Sequence, residues 1–121
     1  MNSIGFKFSE NKGKVIENEV ALELQRRKAK ENSFEVYYWK DYQQNEVDFV
    51  LKRDKKIESL IQVSYINSKE EIKEREINAL LKASKELRCK NLVIITWDYE
   101  TEEKFKGKNI KFVPLWKWLL E

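Results

Sequence analysis

Apolar residues recur along this chain with two different periods, and the changes between them mark its elements. After Gly13 the stretch KVIENEVALELQRRKAK places Ile16, Val20 and Leu24 four residues apart, with Val15, Ala21 and Leu22 widening the stripe. That spacing predicts a helix. Asn32 and Ser33 break it. Phe34 to Lys40 (FEVYYWK) then reads as a strand of aromatic and β-branched residues. A polar turn, Asp41 to Asn45, leads into a second strand, Glu46 to Leu51, in which Val47, Phe49 and Leu51 alternate with Glu46, Asp48 and Val50. The charged run Arg53 to Lys56 turns the chain into a third strand, Ser59 to Tyr65. There Ile61, Val63 and Tyr65 share one face, and Leu60, Gln62 and Ser64 share the other.

The period then returns to that of a helix. Ser68 and Glu71 make a capping box, and Ile72, Ala79, Leu80, Ala83 and Leu87 form the buried stripe, with Glu76 near its middle. Leu92 to Trp97 (LVIITW) is continuously apolar, the pattern of a strand covered on both faces. Lys104 to Lys108 reads as a polar loop, Ile110 to Val113 as a last strand, and Pro114 as the start of a short terminal helix. The order is helix, three strands, helix, strand, strand, helix. Three strands in a meander followed by a helical crossover to a parallel strand predict a three-layer α/β sandwich around a mixed sheet. Residues 1–12 show no period and read as an arm or linker, and residues 13–121 as one domain.

Composition narrows the chemistry. With no histidine in 121 residues, Ser-His-Asp and Cys-His catalysis, imidazole zinc sites and histidine general bases are all excluded. The single cysteine, Cys89, allows no internal disulfide and reads as a packing residue in a reducing, cytoplasmic setting. A net charge of +3 gives only weak overall attraction to nucleic acid, so a DNA-binding face needs local clustering. No apolar run approaches the roughly 20 residues that span a bilayer.

The remaining candidates are oxygen donors. A turn centred near Lys55 sets Asp48 opposite Gln62 and Glu46 opposite Ser64 on one face. Glu17 lies at i, i+3, i+4, i+7 spacing with Val20, Ala21 and Leu24, on the sheet-facing side of the first helix. Glu17, Asp48 and the Gln62 carbonyl would then converge as a hard-donor set for Mg²⁺ or Mn²⁺. The plainer alternative is a solvated Asp48 and a Glu17 paired with Arg26, Arg27 or a nearby lysine.

The stretches FKFSENKGKVIENEVALELQRR, EVYYWKD, NEVDFV, LIQVSY and NLVIITWD, in that order, resemble the C-terminal domain of archaeal and bacterial P-loop (AAA-type) ATPases. That domain is of the PD-(D/E)XK superfamily. The resemblance runs from about Phe6 to Trp118. It implies a restriction-endonuclease-like α/β/α sandwich in which Glu17 is the first-helix acid and Asp48 the strand aspartate. Gln62 then stands at the acid of (D/E)xK and Ser64 at its lysine. Both depart from the pattern, since an amide brings no charge to a divalent cation and a hydroxyl cannot replace a lysine's electrostatic role. Lys52 and Lys69 are the lysines considered as substitutes. No Walker A pattern occurs, so the chain is expected to be an excised domain.

The resemblance implies a catalytically degenerate nuclease-fold domain for nucleic-acid binding, association or regulation. The rivals are a Mg²⁺-dependent DNA endonuclease using Glu17, Asp48 and Gln62, with Ser64 as fourth site residue, and a purely structural interaction module. The expected partners are DNA, a P-loop ATPase domain, and a second copy docked through Phe6 and Phe8 or Trp116 and Trp118, with no membrane.

Overall fold

Every predicted helix and strand forms, and a strand concealed by its polar sequence joins them. The computed structural model describes residues 8–121, with side chains from Lys12 onward. Its elements are α1 (Phe8–Glu31), β1 (Phe34–Lys40), β2 (Glu46–Arg53), β3 (Lys56–Val63) and a 3₁₀ turn (Lys69–Glu71). They continue with α2 (Glu74–Leu87), β4 (Leu92–Thr96), β5 (Thr101–Phe105), β6 (Lys108–Pro114) and α3 (Leu115–Leu120). Among the described residues the sheet has six strands in the order β1-β2-β3-β4-β6-β5. The first three are antiparallel, β3 and β6 flank β4 in parallel, and β5 returns antiparallel to β6.

Alternation along the strands feeds two cores. Leu60, Leu92, Ile94, Ile110 and Phe112 meet Ile77, Leu80 and Ala83 of α2 on one face. On the other, Ile61, Val63 and Ile95 meet Ile16, Val20 and Leu24 of α1 together with Leu115 and Trp118 of α3. The fold is therefore a three-layer α/β/α sandwich. The unbroken apolar run of β4 is explained by its contribution to both cores.

Three expectations change. α1 runs back through Gly13 to Phe8, into the stretch read as an arm; residues 1–7, and hence Phe6, lie outside the described residues. The Gly13 position has open space around it, so no contact there interrupts the helix. Lys104 to Lys108 is not a loop. It is the end of β5, a turn at Lys106 and Gly107, and the start of β6, with positive φ at both turn residues (49° and 84°) as tight hairpins require. Finally, α2 begins at Glu74, after the 3₁₀ turn. Glu71 reaches back to the Asn67 N–H (2.7 Å), but the Ser68 hydroxyl donates to Glu71 and caps no backbone N–H.

The helices are tied to the sheet by polar contacts as well as by burial. Lys82 of α2 pairs with Asp41 at 2.8 Å. That ammonium, with the Asn45 side chain, holds the Asp41 carboxyl well below the usual carboxylate range. On the opposite layer Glu23 accepts from Arg26 and Arg27 (2.8 Å from Arg27 Nε), so these arginines pair with Glu23 rather than Glu17. Arg27 also donates to the Trp118 carbonyl at 2.9 Å and stacks 4.5 Å from its ring centroid.

This arrangement buries Trp118 (5% exposed) and leaves Trp116 outside (56%), so the expected pairing of the two in one exposed patch is corrected. α3 starts at Leu115, and its apolar side turns Leu115 and Trp118, three residues apart, inward together. Trp118→Ala should cost about 3–5 kcal/mol by leaving a cavity under α3. Trp116→Ala should shift stability by no more than about 0.5 kcal/mol. Equal effects of the two in urea denaturation would contradict the burial assignment.

Candidate functional site

The site lies where β2 and β3 stop pairing through their backbones. Phe49 pairs Ile61, Val50 pairs Leu60 and Leu51 pairs Ser59, which is the register expected from a turn centred at Lys55. The turn itself is Asp54–Lys55, with Asp54 at φ 58°, and a one-residue shift between Leu51 and Lys52 absorbs the difference. Past Phe49 and Ile61, side chains take over the ladder. The Asp48 N–H donates to Gln62 Oε1 (3.0 Å), and Gln62 Nε2 donates to the Glu46 carbonyl (2.8 Å) and the Glu76 carbonyl (3.4 Å). The Val63 N–H donates to Asp48 Oδ2 at 2.8 Å. Gln62, only 3% exposed, thus stitches β2 to β3 and both to α2.

An irregularity aims Asp48. Tyr37 pairs Val50 but Trp39 pairs Val47, so two residues of β2 face one of β1. Such a bulge reverses side-chain parity. Val47 therefore joins Val50 in the core beneath α2, whereas simple alternation assigned it to the opposite face. Phe49 and Leu51 remain with α1, as alternation expected.

Asp48, Gln62, Glu46, Arg75 and Glu76 line a cavity of about 120 Å³. Burial pushes the Asp48 carboxyl up to about 6, against the Val63 N–H bond that favours its ionised form. The charges of Glu17, Glu76 and Glu46 reinforce the upward push. Burial also raises Glu76, while the Ser64 hydroxyl, Lys73 and Arg75 pull it back. Ser64, 4% exposed, stands close enough to Glu76 to ease its ionisation. Among the described residues its hydroxyl has no hydrogen-bond partner other than this neighbouring carboxylate.

Glu17 is not brought into contact with this group. α1 packs on the Ile61 and Val63 face, while Asp48 and Gln62 line the cavity beside α2, so the expectation that Glu17 lies on the helix covering the same face as Asp48 and Gln62 is corrected. Glu17 reaches Asp48 only through its field. Because α2 occupies the place expected for α1, Glu76 is the acid beside Asp48. The signal for it was a carboxylate on the apolar stripe of α2.

As placed, these donors do not fit Mg²⁺ or Mn²⁺. Gln62 Oε1 and Asp48 Oδ2 each accept a backbone N–H, and among the described residues no three Asp, Glu or Cys side chains are grouped to hold a metal. Neither lysine considered as a substitute lines the cavity; Lys69 pairs instead with Glu103 at 3.4 Å.

No solved structure matches the chain. An uncharacterized protein of Methanocaldococcus jannaschii is 43% identical over 126 residues, covering 99% of this chain, which spans 27% of that relative's length. Residues 12–118 match the profile of a domain of unknown function, DUF4143, and the chain belongs to that family.

Proposed function

We propose that the chain is a catalytically degenerate PD-(D/E)XK-type domain of a P-loop ATPase, working by association or regulation. One observation carries this reading. At the position of the motif's second acid, the Gln62 amide is spent on holding β2, β3 and α2 together. Ser64 adds to it, because a buried hydroxyl stands at the lysine position and, among the described residues, the cation lining the cavity is Arg75. Without a charged acid at Gln62 or a lysine at Ser64, the site lacks the electrostatic stabilisation that phosphodiester hydrolysis needs. The length of the Methanocaldococcus jannaschii relative, of which this chain matches 27%, fits a domain carried by a larger protein.

The carboxylates of the cavity repel phosphate, so a DNA contact belongs elsewhere. The β5–β6 hairpin offers Lys104, Lys106, Lys108 and Lys111, and binding there would weaken steeply with salt. Self-association has a separate basis. Trp97 and Trp116, 47% and 56% exposed, flank a groove with Leu115 and Leu119, and a two-fold dimer would cover it. Phe6 and the Phe8 side chain lie outside the described residues. Among those residues no helix is long and apolar enough to cross a membrane, and the buried, unpaired Cys89 suits a reducing cytoplasm.

The deciding measurement is cleavage of plasmid and branched DNA with Mg²⁺ or Mn²⁺. No cutting is expected. Metal-dependent cutting that disappears in Asp48→Ala would establish the rival endonuclease reading.

A further inference from the structure

We infer that two copies of this chain associate by pairing β5 with β5 across a two-fold axis, so that the sheet continues from one copy into the other. This rests on the association reading above and gives the self-contact an edge and a register.

Among the described residues β5 pairs only with β6, so its other edge presents unpaired backbone donors and acceptors. Native edges are commonly blunted with charge, and β5 carries charge in an ordered pattern. Residues 100–106 read ETEEKFK, with acids before Glu103 and lysines after it at matching distances. Two antiparallel copies related by a two-fold axis perpendicular to the sheet pair symmetrically about one residue that meets itself. With Glu103 on the axis, Glu102 faces the partner's Lys104 and Lys104 faces the partner's Glu102, and Glu100 and Lys106 meet at both ends. Glu102 and Lys104 are exposed and share the face away from α2, opposite Lys111 and Asn109 of β6. Glu103 pairs Ile110, which lies in the core beneath α2. Across the contact the row therefore runs Lys111, Glu102, then the partner's Lys104, with alternating sign. The opposite edge offers no such register. Glu35 and Lys40 of β1 stand an odd number of positions apart, on opposite faces, and cannot meet in a symmetric pairing.

The same register covers apolar surface on the α2 side. Ile72, Ile77 and Leu81 of α2 and Phe105 of β5 line a groove of about 440 Å³ along this edge. There the two-fold sets the partner's Phe105 opposite Thr101. The axis itself carries a like-charge pair, the two Glu103 side chains, each neutralised by its own Lys69 at 3.4 Å. At the far end of the strand, Glu100 is tied to Lys117 of α3, next to Trp116. The partner's hairpin turn thus arrives beside the groove of Trp97 and Trp116.

The test is sedimentation equilibrium of the full chain over a concentration series, combined with charge exchange. The wild type should dimerise with a dissociation constant on the order of 100 μM, as suits a small contact. Glu102→Lys alone should weaken the dimer about tenfold, because two like-charge pairs replace two opposite ones, and Lys104→Glu alone should do the same. Mixed in equal amounts, the two variants should associate about as well as the wild type, since opposite signs then meet at both positions. Glu103→Gln, which relieves the axis, should tighten the dimer. Both exchanged positions are exposed, and circular dichroism checks that each variant keeps its fold. Three results would overturn the inference: a wild type that stays monomeric, a dimer indifferent to the single exchanges, or weakened variants that do not recover on mixing. A dimer broken by Trp116→Glu but indifferent to the exchanges is a case of the second, and it moves the contact to the tryptophan groove. Metal-dependent DNA cleavage would instead defeat the degenerate-domain reading and leave the dimer standing, so the two failures are told apart.

Discussion

Asp48→Asn should stabilise this protein at pH 7 by about 3 kcal/mol and raise its Tm by roughly 10 °C. The reason is that the Asp48 carboxyl, half-buried among Glu17, Glu46 and Glu76, has its pKa pushed up to about 6, whereas an unfolded chain's aspartate titrates near 4. The folded state therefore holds a proton that the unfolded chain has already released. Stability contributed by this group is fully present below about pH 4, falls as pH rises towards 6, and is lost above it. Two pH units of displacement correspond to about 3 kcal/mol. Asparagine keeps an oxygen for the Val63 N–H and turns an amide towards the neighbouring carboxylates, so the native geometry is retained. Asp41 and Glu23 are shifted downwards and titrate with the opposite sign. The informative quantity is accordingly the wild-type minus variant difference in melts from pH 4 to 8. A difference that stays flat across that range would show that Asp48 ionises normally. The predicted trend also means that Asp48 is kept at a cost to the fold, as is common for groups that act on something outside it.

How much of this was legible beforehand depended on whether local pattern or distant packing decided the matter. The antiparallel meander, the parallel crossover and the doubly covered β4 all follow from periodicity, and the Asp48–Gln62 register follows from the turn centre at Lys55. β5 was not legible because TEEKF is an edge strand with an exposed side, and its alternation carries almost no apolar signal. The bulge that moves Val47 under α2 is set by pairing with β1, which no stretch of β2 encodes alone. Glu17 was assigned to the right helix but to the wrong side of the Gln62 cluster, because which of two helices covers which face is a property of the whole sandwich. Glu76 carried a visible sign, an acid on an apolar stripe, and the structure sets it beside Asp48.

Gln62→Leu should destabilise the fold by about 3–5 kcal/mol, more than a leucine-sized change in a well-packed strand would suggest. Leucine fills the same space but leaves the Asp48 N–H without its acceptor and the Glu46 and Glu76 carbonyls without their donor. Each buried group stranded in this way costs about 1–3 kcal/mol. The loss should be local before it is global. Hydrogen exchange at the Asp48 and Val63 amides should accelerate while that of Leu92 to Ile95, in the doubly covered strand, stays slow. Gln62→Glu, which supplies the charged acid of the PD-(D/E)XK pattern proposed above, should be no better tolerated at pH 7. It points a carboxylate at two carbonyl oxygens and adds a charge beside Asp48 and Glu76. A protonated glutamate can donate where the amide did, so this variant should recover much of its stability by pH 5. If Gln62→Glu instead matches the wild type at pH 7, the amide is not a clasp. The strands would then have room for a charged acid, and the case for a degenerate site would lose its main support.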